Sequence, residues 1–532
     1  MSETPKKQTF LHGTMLLALS AAIVKVIGAF YSIPLKAIIG DQGFGYYSTA
    51  YEIYTILLMI STAGLPVAMS RMISQANSLG HYRQVRKIYT ISRTIFLTLG
   101  LIGALLMTVF CRQLADFQEQ PDAWAAIGTL GPCCFLICLM STYRGFFQGQ
   151  SNMTPTSVSQ VIEAIVKLVI GLGAAFLLLK QMGSISLAAG GAILGVTVSC
   201  LVSSFYLNRC FRRVYREMPV SNEDVSSGKD IAKGLLVIAV PITLGSAGLQ
   251  ILTALETKIY MSQLLEFMTQ DAADTQKGIY NFVQKIFNMP CAFITPITIS
   301  VIPAITAQLT TKEFQAAKAT EESAVRVTGL ISAPCAVGLA VLAGPVTGLL
   351  GGYTGEKLAL STHLMMILGI CIVFNAVVLL TNAIMQAHGH VNIPVINMFI
   401  GGILKLIAIF ILTGNPNIGI LGTPIGSLLC YLCITVLNIF SIHRCLENPP
   451  AIVKNLLRSV LAALIMGAAT YGTWIGLQAL LGPDMSRIIA CGVPIMVGVV
   501  VYCVAAVLLR AITKEDCLLL PKGEKIARLL HL

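Results

Sequence analysis

Fourteen stretches of about twenty predominantly apolar residues run along this chain, each long enough to cross a hydrocarbon core about 30 Å thick as an α-helix. They centre near Ile23, Leu58, Leu99, Leu136, Ile170, Val196, Thr243, Phe293, Pro334, Phe374, Ala408, Leu429, Met466 and Val499. Backbone amides in hydrocarbon have no water to bond, so spans of this length fold as helices that satisfy their own hydrogen bonds. The pattern predicts an all-α integral membrane protein. Only 11% of the 532 residues are charged, against about 25% in soluble domains, which excludes a soluble enzyme and a disordered chain. The net charge of +12 does not imply nucleic acid, because an excess of Lys and Arg in such a chain marks the cytoplasmic side.

No cleaved signal peptide is evident. The first apolar run, from about Leu11 to Ile39, is interrupted by Lys25 and shows no small-x-small site, so it reads as a retained first helix. The fifteen cysteines, among them Cys133, Cys134 and Cys138, lie mostly in apolar runs. Cys430 and Cys433 form a C-x-x-C inside a hydrophobic helix with no second pair beside it. They read as small apolar residues, with no metal and no cofactor expected.

Orientation follows the basic residues. Lys6 and Lys7, the Arg71 to Lys87 loop, the Arg209 to Lys233 loop and the tail from Lys514 to Arg528 share one side, while Asp116, Glu119, Asp122, Glu266, Asp271 and Asp274 fall on the other. Both termini are therefore expected in the cytoplasm. The arginines between Asn208 and Lys233 read as anchors for anionic lipid.

The chain also repeats itself. Gly45 to Tyr54 (GYYSTAYEIY) matches Gly278 to Phe287 (GIYNFVQKIF) at an offset of 233, and Asn152, Pro155 and Lys167 return as Asn392, Pro394 and Lys405 at offsets of 238 to 240. Lys36 lines up with Lys258 and Gly13 with Gly234. Six spans per repeat is an even number, so the halves enter the membrane in the same sense, a parallel repeat that builds transporters with a site between halves. The expected organisation is a cytoplasmic tail (1–10), an N-lobe of six helices (11–208), a cytoplasmic inter-lobe loop (209–233), a C-lobe of six helices (234–443), two further helices (444–511) and a second cytoplasmic tail (512–532).

Ionisable groups at bilayer depth are costly and usually face a protein interior or a wet path. Lys25 and Lys285 lie deep in the first and eighth spans with no acid at i±3 or i±4, which points to a cavity lining that also includes Gln284. Glu52 and Lys285 occupy equivalent repeat positions, so pseudo-symmetry sets them across a central cleft, with Glu52 as counter-charge to the lysines. A water-exposed lysine cluster suits a phosphate-bearing ligand. Glu163 and Lys167, at i and i+4, form either a structural pair or a second set of cavity charges. Lys258, Arg326 and Lys405 are further candidate cavity or coupling charges, with snorkelling to headgroups the plainer account for Lys258 and Arg326 near helix ends. Asn375 and Asn382 in the tenth span read as interhelical glue or cavity polar groups. His388 and His390 read as loop histidines. Pro34, Pro241, Pro290, Pro296 and Pro303 mark helix breaks near the presumed cleft.

Four segments carry a family resemblance: GLPVAMSRMISQ (Gly64 to Gln75), YRGFFQGQSNMTPTSVSQVIE (Tyr143 to Glu163), IFNMPCAFITPITISVIPAI (Ile286 to Ile305) and TNAIMQAHGHVNIPVINM (Thr381 to Met398). With them the chain resembles the stage V sporulation protein B and YtgP-type proteins, polysaccharide and lipid-linked oligosaccharide exporters of the multidrug/oligosaccharidyl-lipid/polysaccharide (MOP) superfamily. The resemblance implies a MATE- and MurJ-like fold of fourteen transmembrane helices, two pseudo-symmetric six-helix lobes around a V-shaped cavity, and two C-terminal helices that carry a lipid-tail groove. It implies a flippase, not an enzyme, that moves an undecaprenyl-pyrophosphate-linked precursor such as lipid II across the bacterial cytoplasmic membrane, in peptidoglycan or polysaccharide biosynthesis or sporulation, with membrane lipids and the wall-synthesis machinery as partners. MurJ-type flippases place cavity arginines on the first and eighth helices. The nearest positions here are Lys25 and Lys285, which keep the charge and lose the bidentate fork.

No G-x-x-x-x-G-K-[ST] occurs in the sequence, so the expected driving force is an ion gradient (Na+ or H+), coupled synthesis or the membrane potential, the last worth about 2.3 kcal/mol per charge per 100 mV. Three other readings compete, one of them a non-transporting scaffold for a wall-synthesis complex, which leaves the membrane lysines unexplained. A cation-coupled multidrug exporter of the same superfamily calls for an acid-lined cavity, whereas the membrane charges here are mostly lysine. A membrane-bound sugar transferase calls for an acidic group in an interfacial loop, and the loops are short and offer no D-x-D.

Overall fold

The computed structural model describes residues 10–62, 64–219, 221–482 and 486–511. Among these the chain is helical throughout, with no strand. The helices are α1 (Phe10–Thr62), α2 (Gly64–Ser78), α3 (Tyr82–Val109), α4 (Cys111–Phe117), α5 (Trp124–Gly149), α6 (Thr154–Met182), α7 (Ile185–Glu217), α8 (Gly228–Leu265), α9 (Gln270–Thr310), α10 (Phe314–Val341), α11 (Ala343–Gly351), α12 (Gly355–Ala387), α13 (Asn392–Thr413), α14 (Gly422–Cys445), α15 (Ile452–Leu481) and α16 (Arg487–Leu508). All fourteen expected span centres fall inside helices, the first two both inside α1. Eleven helical segments among the described residues are long and apolar enough to cross a membrane.

The 53 residues of α1 would measure about 80 Å if straight, far more than one crossing. Gly40 divides them: its φ of 71° lies in the left-handed region, which a residue without a Cβ adopts freely. Pro34 removes one more helical bond just before it. Two crossings thus follow one another with almost no loop. Elsewhere the termini use local chemistry. The Ser184 and Ser227 hydroxyls accept from the Leu187 and Asp230 N–H groups to start α7 and α8, and Gly183 at φ 64° closes α6.

The chain forms two compact units, Met1–Asn281 and Phe282–Leu532. The first extends past the expected start of the C-lobe at residue 234 to take in α8 and the first turns of α9. Close packing explains this: α8 lies on α1 and α2, where a Cβ on Gly64 would overlap the Ala239 carbonyl. Within the same unit Gly195 meets Gly171 backbone to backbone, drawing α6 and α7 together. Tyr89 stacks on Phe211 at 4.4 Å, with Phe146, Tyr143 and Tyr215 around them. In the second unit α10 packs on α12 and α15, α13 on α14, and α15 on α16. Its core includes Ile305, Leu380, Ile384, Met385 and Ile442.

The stretch between α7 and α8 is tied to the start of α3. The Arg83 N–H donates to the Ser221 hydroxyl (3.2 Å), the Gln84 N–H to Glu223 Oε1 (2.9 Å), the Ser226 N–H to Gln84 Oε1 (3.0 Å), and Arg86 Nη2 to the Met218 carbonyl (2.9 Å). These bonds occupy N–H groups that a helix start leaves free. Burial raises the Glu223 carboxyl, but bonds from the Ser221 hydroxyl and from the Gln84, Glu223 and Arg83 N–H groups outweigh it and hold the group down at about 2. A depressed carboxylate contributes its docking above the ordinary value of 4.5 and loses it as pH falls from there toward about 2. Protection of the Arg83 and Gln84 amides from hydrogen exchange, taken relative to the intrinsic rate at each pH, is expected to be high at neutral pH and to fall across that acid window. In Glu223→Gln the acid step disappears.

Candidate functional site

In the first unit α1 and α9 cross at the two glycines that the repeat makes equivalent. A Cβ on Gly278 would overlap the Asp41 carbonyl oxygen, and one on Gly45 would stand 3.2 Å from the Asp274 carbonyl oxygen and 3.6 Å from the Gly278 nitrogen. Only residues without side chains let two helices approach this closely.

Charged and polar side chains surround the crossing. Lys277 is fully buried, donates to the Thr49 hydroxyl, and lies 3.8 Å from a Glu52 carboxylate oxygen and 5.9 Å from the Tyr260 ring centre. Thr49 in turn bonds the Gln120 side chain. Asp274, also buried, accepts from Gln120 Nε2 (2.7 Å), Gln270 Nε2 (3.0 Å) and the Tyr46 hydroxyl (3.2 Å). Gln270 reaches on to the Glu119 carbonyl (2.8 Å), and Glu119 pairs with Lys258. Lys36 pairs with Asp41 at 3.4 Å. Each buried charge therefore has an opposite charge or several donors beside it, as burial requires.

The residues expected at the site fall as follows. Lys25 lies in α1, and its side chain is outside the described residues. Glu52 is half-buried in the first unit, and its partner is Lys277, a lysine the sequence reading passed over. Gln284 and Lys285 belong to the second unit. Lys285 is exposed beside exposed Asn288, while Val283, Ile286 and Phe287 on the same turns are buried. Glu163 meets Arg144 of α5 at 3.0 Å, and Arg144 Nε also donates to Ser159 (3.1 Å), so the ion pair formed by Glu163 runs between helices. Lys167 donates to the Tyr51 hydroxyl at 2.7 Å and lies 4.7 Å from the Tyr51 ring and 5.1 Å from the Tyr31 ring. Lys258 pairs with Glu119 over the Phe117 ring (5.4 Å). Arg326 is buried at 9% exposure, so it sits inside α10's packing and does not extend freely to headgroups. Lys405 is half-buried. Asn375 donates to Cys291 Sγ (3.2 Å), and Asn382 accepts from Asn438 (2.8 Å) in a cluster with Thr381 and Asn397. His388 is bonded to the buried Glu321 at 2.7 Å, in place of a solvated loop position.

Sequence reasoning thus missed the buried Lys277, Asp274 and Gln120 and the half-buried Arg144 as partners. Asp274 and Lys277, opposite charges at i and i+3 beside the repeated glycine, were a usable signal. Gln120 carried none, lying in the short connection between α4 and α5.

The second unit carries an open cavity of about 660 Å³. Its walls come from α9, α10, α11, α15 and α16, including Pro290, Pro334, Leu339, Met466, Val499 and Tyr502, and none of the residues lining it is Lys, Arg, Asp, Glu or His. The Tyr502 hydroxyl is spent on the Leu330 carbonyl (3.0 Å). The size is that of a small-ligand pocket, and the lining suits hydrocarbon better than water. Both helices that lack a repeat counterpart, α15 and α16, contribute to it.

Comparison with known proteins follows the same lines. Residues 10–309 match the family model described as polysaccharide biosynthesis protein, and residues 260–411 match the MatE model. Among curated proteins of Bacillus subtilis (strain 168), the uncharacterized membrane protein YabM is 24% identical over 99% of this chain and 97% of its own length. Stage V sporulation protein B is 26% identical over 83% of this chain and 85% of its own, and lipid II flippase MurJ 25% identical over 75% and 76%. Among solved structures, lipid II flippase MurJ in an inward closed conformation superposes with a TM-score of 0.69 at 14% identity, covering 93% of this chain and 99% of that one. An inward-facing multidrug resistance MATE transporter of the MOP superfamily gives 0.61 at 16%, covering 80% and 98%. The fold is the one these MOP-superfamily structures share, and the chain belongs to the polysaccharide biosynthesis protein family.

Proposed function

We propose that this protein is a flippase that carries an undecaprenyl-pyrophosphate-linked sugar, a lipid II-like wall or polysaccharide precursor, across the bacterial cytoplasmic membrane by alternating access. The observation that carries the reading is the uncharged cavity against α15 and α16. A substrate with a long polyprenyl tail needs a hydrocarbon-lined site separate from the polar path of its headgroup, and this cavity supplies one. The printed name of the MurJ relative, lipid II flippase, supports the same substrate class. The reading is transport, not catalysis.

In this account Lys25 and Lys285 act on the pyrophosphate, with Glu52 and Gln284 as further polar groups. Lys285 is exposed while its neighbours Val283, Ile286 and Phe287 are buried, as a headgroup ligand requires. With both termini in the cytoplasm, the α1–α9 crossing falls at the outer face and forms the outer gate. Release outward then requires Gly45 and Gly278 to part and the Lys277–Glu52 and Asp274–Gln120 contacts to break. Coupling draws on the membrane potential or on Na+ or H+.

A strain depleted of its lipid II flippase tests this. The wild-type chain restores growth, Lys285→Arg restores it, and Lys25→Ala and Lys285→Glu do not. Full rescue by Lys285→Glu overturns the pyrophosphate assignment. The MatE match brings drug export as the second reading; resistance to cationic dyes without rescue of the depleted strain decides for it.

A further inference from the structure

One row of charged and amide side chains in the first unit has no part in the pathway above. Gln160, Glu163 and Lys167 stand on α6 at i, i+3 and i+7, on a single face, and all three are half-buried. The helix shows lipid a different face. Val158, Ile165, Val169 and Phe176 are all exposed; at about 100° per residue they fall within about 40° of one another and lie nearly opposite the polar row. Lys167 is thirteen residues beyond the start of α6 at Thr154, about 20 Å along the axis, so the row reaches bilayer depth. Glu163 keeps 27% exposure and its partner Arg144 18%. Charges that deep do not face hydrocarbon, and these are turned away from it, so their exposed parts face a wet path.

The cations of this face are already engaged. Arg144 of α5 donates from Nη2 to Glu163 Oε2 (3.0 Å) and from Nε to the Ser159 hydroxyl (3.1 Å). Lys167 donates to the Tyr51 hydroxyl (2.7 Å) and lies against the Tyr51 and Tyr31 rings. A further anion would have to displace Glu163 from Arg144. A neutral polyol would not. A carboxylate offers about four acceptor positions, and the Arg144 bond uses one of those on Glu163. Gln160 takes the Ser20 hydroxyl on its oxygen (3.2 Å), which leaves the two protons of its amide nitrogen as donors. A strong acceptor and a donor on one face, one turn apart, match the hydroxyl groups of a sugar ring, each of which both donates and accepts.

We propose that this face of α6 is the sugar subsite of the transporter. Glu163, held in place by Arg144, accepts from hydroxyl groups of the carried sugar, and Gln160 donates to them. The proposal rests on the flippase reading and adds which part of the cargo the first unit recognises.

The test uses the full chain, purified in detergent and mixed with equal amounts of two lipids: undecaprenyl pyrophosphate, and the same lipid carrying a disaccharide. Native mass spectrometry counts the two bound forms. The wild type is expected to hold the sugar-bearing lipid about tenfold more, the scale of hydrogen bonds to a charged group. The ratio falls toward one in Glu163→Gln, whose amide oxygen still accepts from Arg144, and in Gln160→Leu, which leaves the ion pair untouched. Equal binding of the two lipids by the wild type overturns the subsite and leaves the flippase reading standing, whereas binding of neither overturns both. A wild-type ratio in both variants also overturns the subsite; if Glu163→Gln then loses transfer in vesicles, the carboxylate belongs to ion coupling instead.

Discussion

Replacing Gly278 with valine is expected to force α1 and α9 apart. The new side chain begins where the Asp41 carbonyl oxygen already stands, and a backbone atom inside a helix has no rotamer to move. Overpacking a tight core costs about 1–3 kcal/mol, and a clash with backbone belongs at the top of that range. The crossing can be read by a short bis-maleimide cross-link between cysteines placed at Gln42 and Asp271, where the Gln42 side chain reaches the Asp271 carbonyl at 3.3 Å. That cross-link is expected to form rapidly in the parent and to fail in Gly278→Val. Gly173 is the control. It lies in α6 with nothing within 4 Å of an added Cβ, so Gly173→Ala leaves the cross-link intact and is neutral or stabilising by up to about 1 kcal/mol. Equal cross-linking in Gly278→Val and its parent would show that the helices do not cross there.

The second large effect is expected at Lys277. Its ammonium is fully buried with Glu52 and Asp274 near it. In Lys277→Met, two carboxylates lose their cation. Breaking a buried pair from one side costs about 3–5 kcal/mol; Glu52 retains 16% exposure, so some of its charge is still screened by water, and the lower half of the range applies. Glu52→Gln in the same background should recover part of the loss, since the remaining neutral groups no longer need a counter-ion. A coupling energy within the ~0.5–3 kcal/mol range of contacting pairs is expected in the thermal-unfolding cycle of the two single variants and the double. Additivity would mean that Lys277 and Glu52 do not interact.

The sequence made some of this plain and concealed the rest for physical reasons. The all-helical membrane architecture was legible because hydrocarbon demands apolar runs of nearly fixed length. The Gly40 break between the first two spans was not, since a single glycine with positive φ replaced the loop that length alone suggests. Gly45 and Gly278 were visible as repeat partners, but their meeting was not, because repetition reports similarity and not contact. The partners of the buried charges were hidden for a related reason. Helical spacing sets Lys167 beside Glu163, yet Arg144, which pairs with Glu163, comes from the neighbouring helix. Thr49 and Lys277 are 228 residues apart, a separation no local pattern bridges. A groove on the two C-terminal helices was implied by resemblance alone, and the apolar cavity against α15 and α16 carried no signal of its own, since apolar side chains that line a hollow have the same composition as those that face lipid.

The most direct test is transfer itself. Purified protein is placed in vesicles with a fluorescent undecaprenyl-pyrophosphate sugar, and the label exposed to a membrane-impermeant quencher is followed with time. The account predicts protein-dependent transfer between leaflets that is retained in Lys285→Arg and lost in Lys285→Glu. Transfer no faster than in protein-free vesicles, or equally fast in Lys285→Glu, would contradict it.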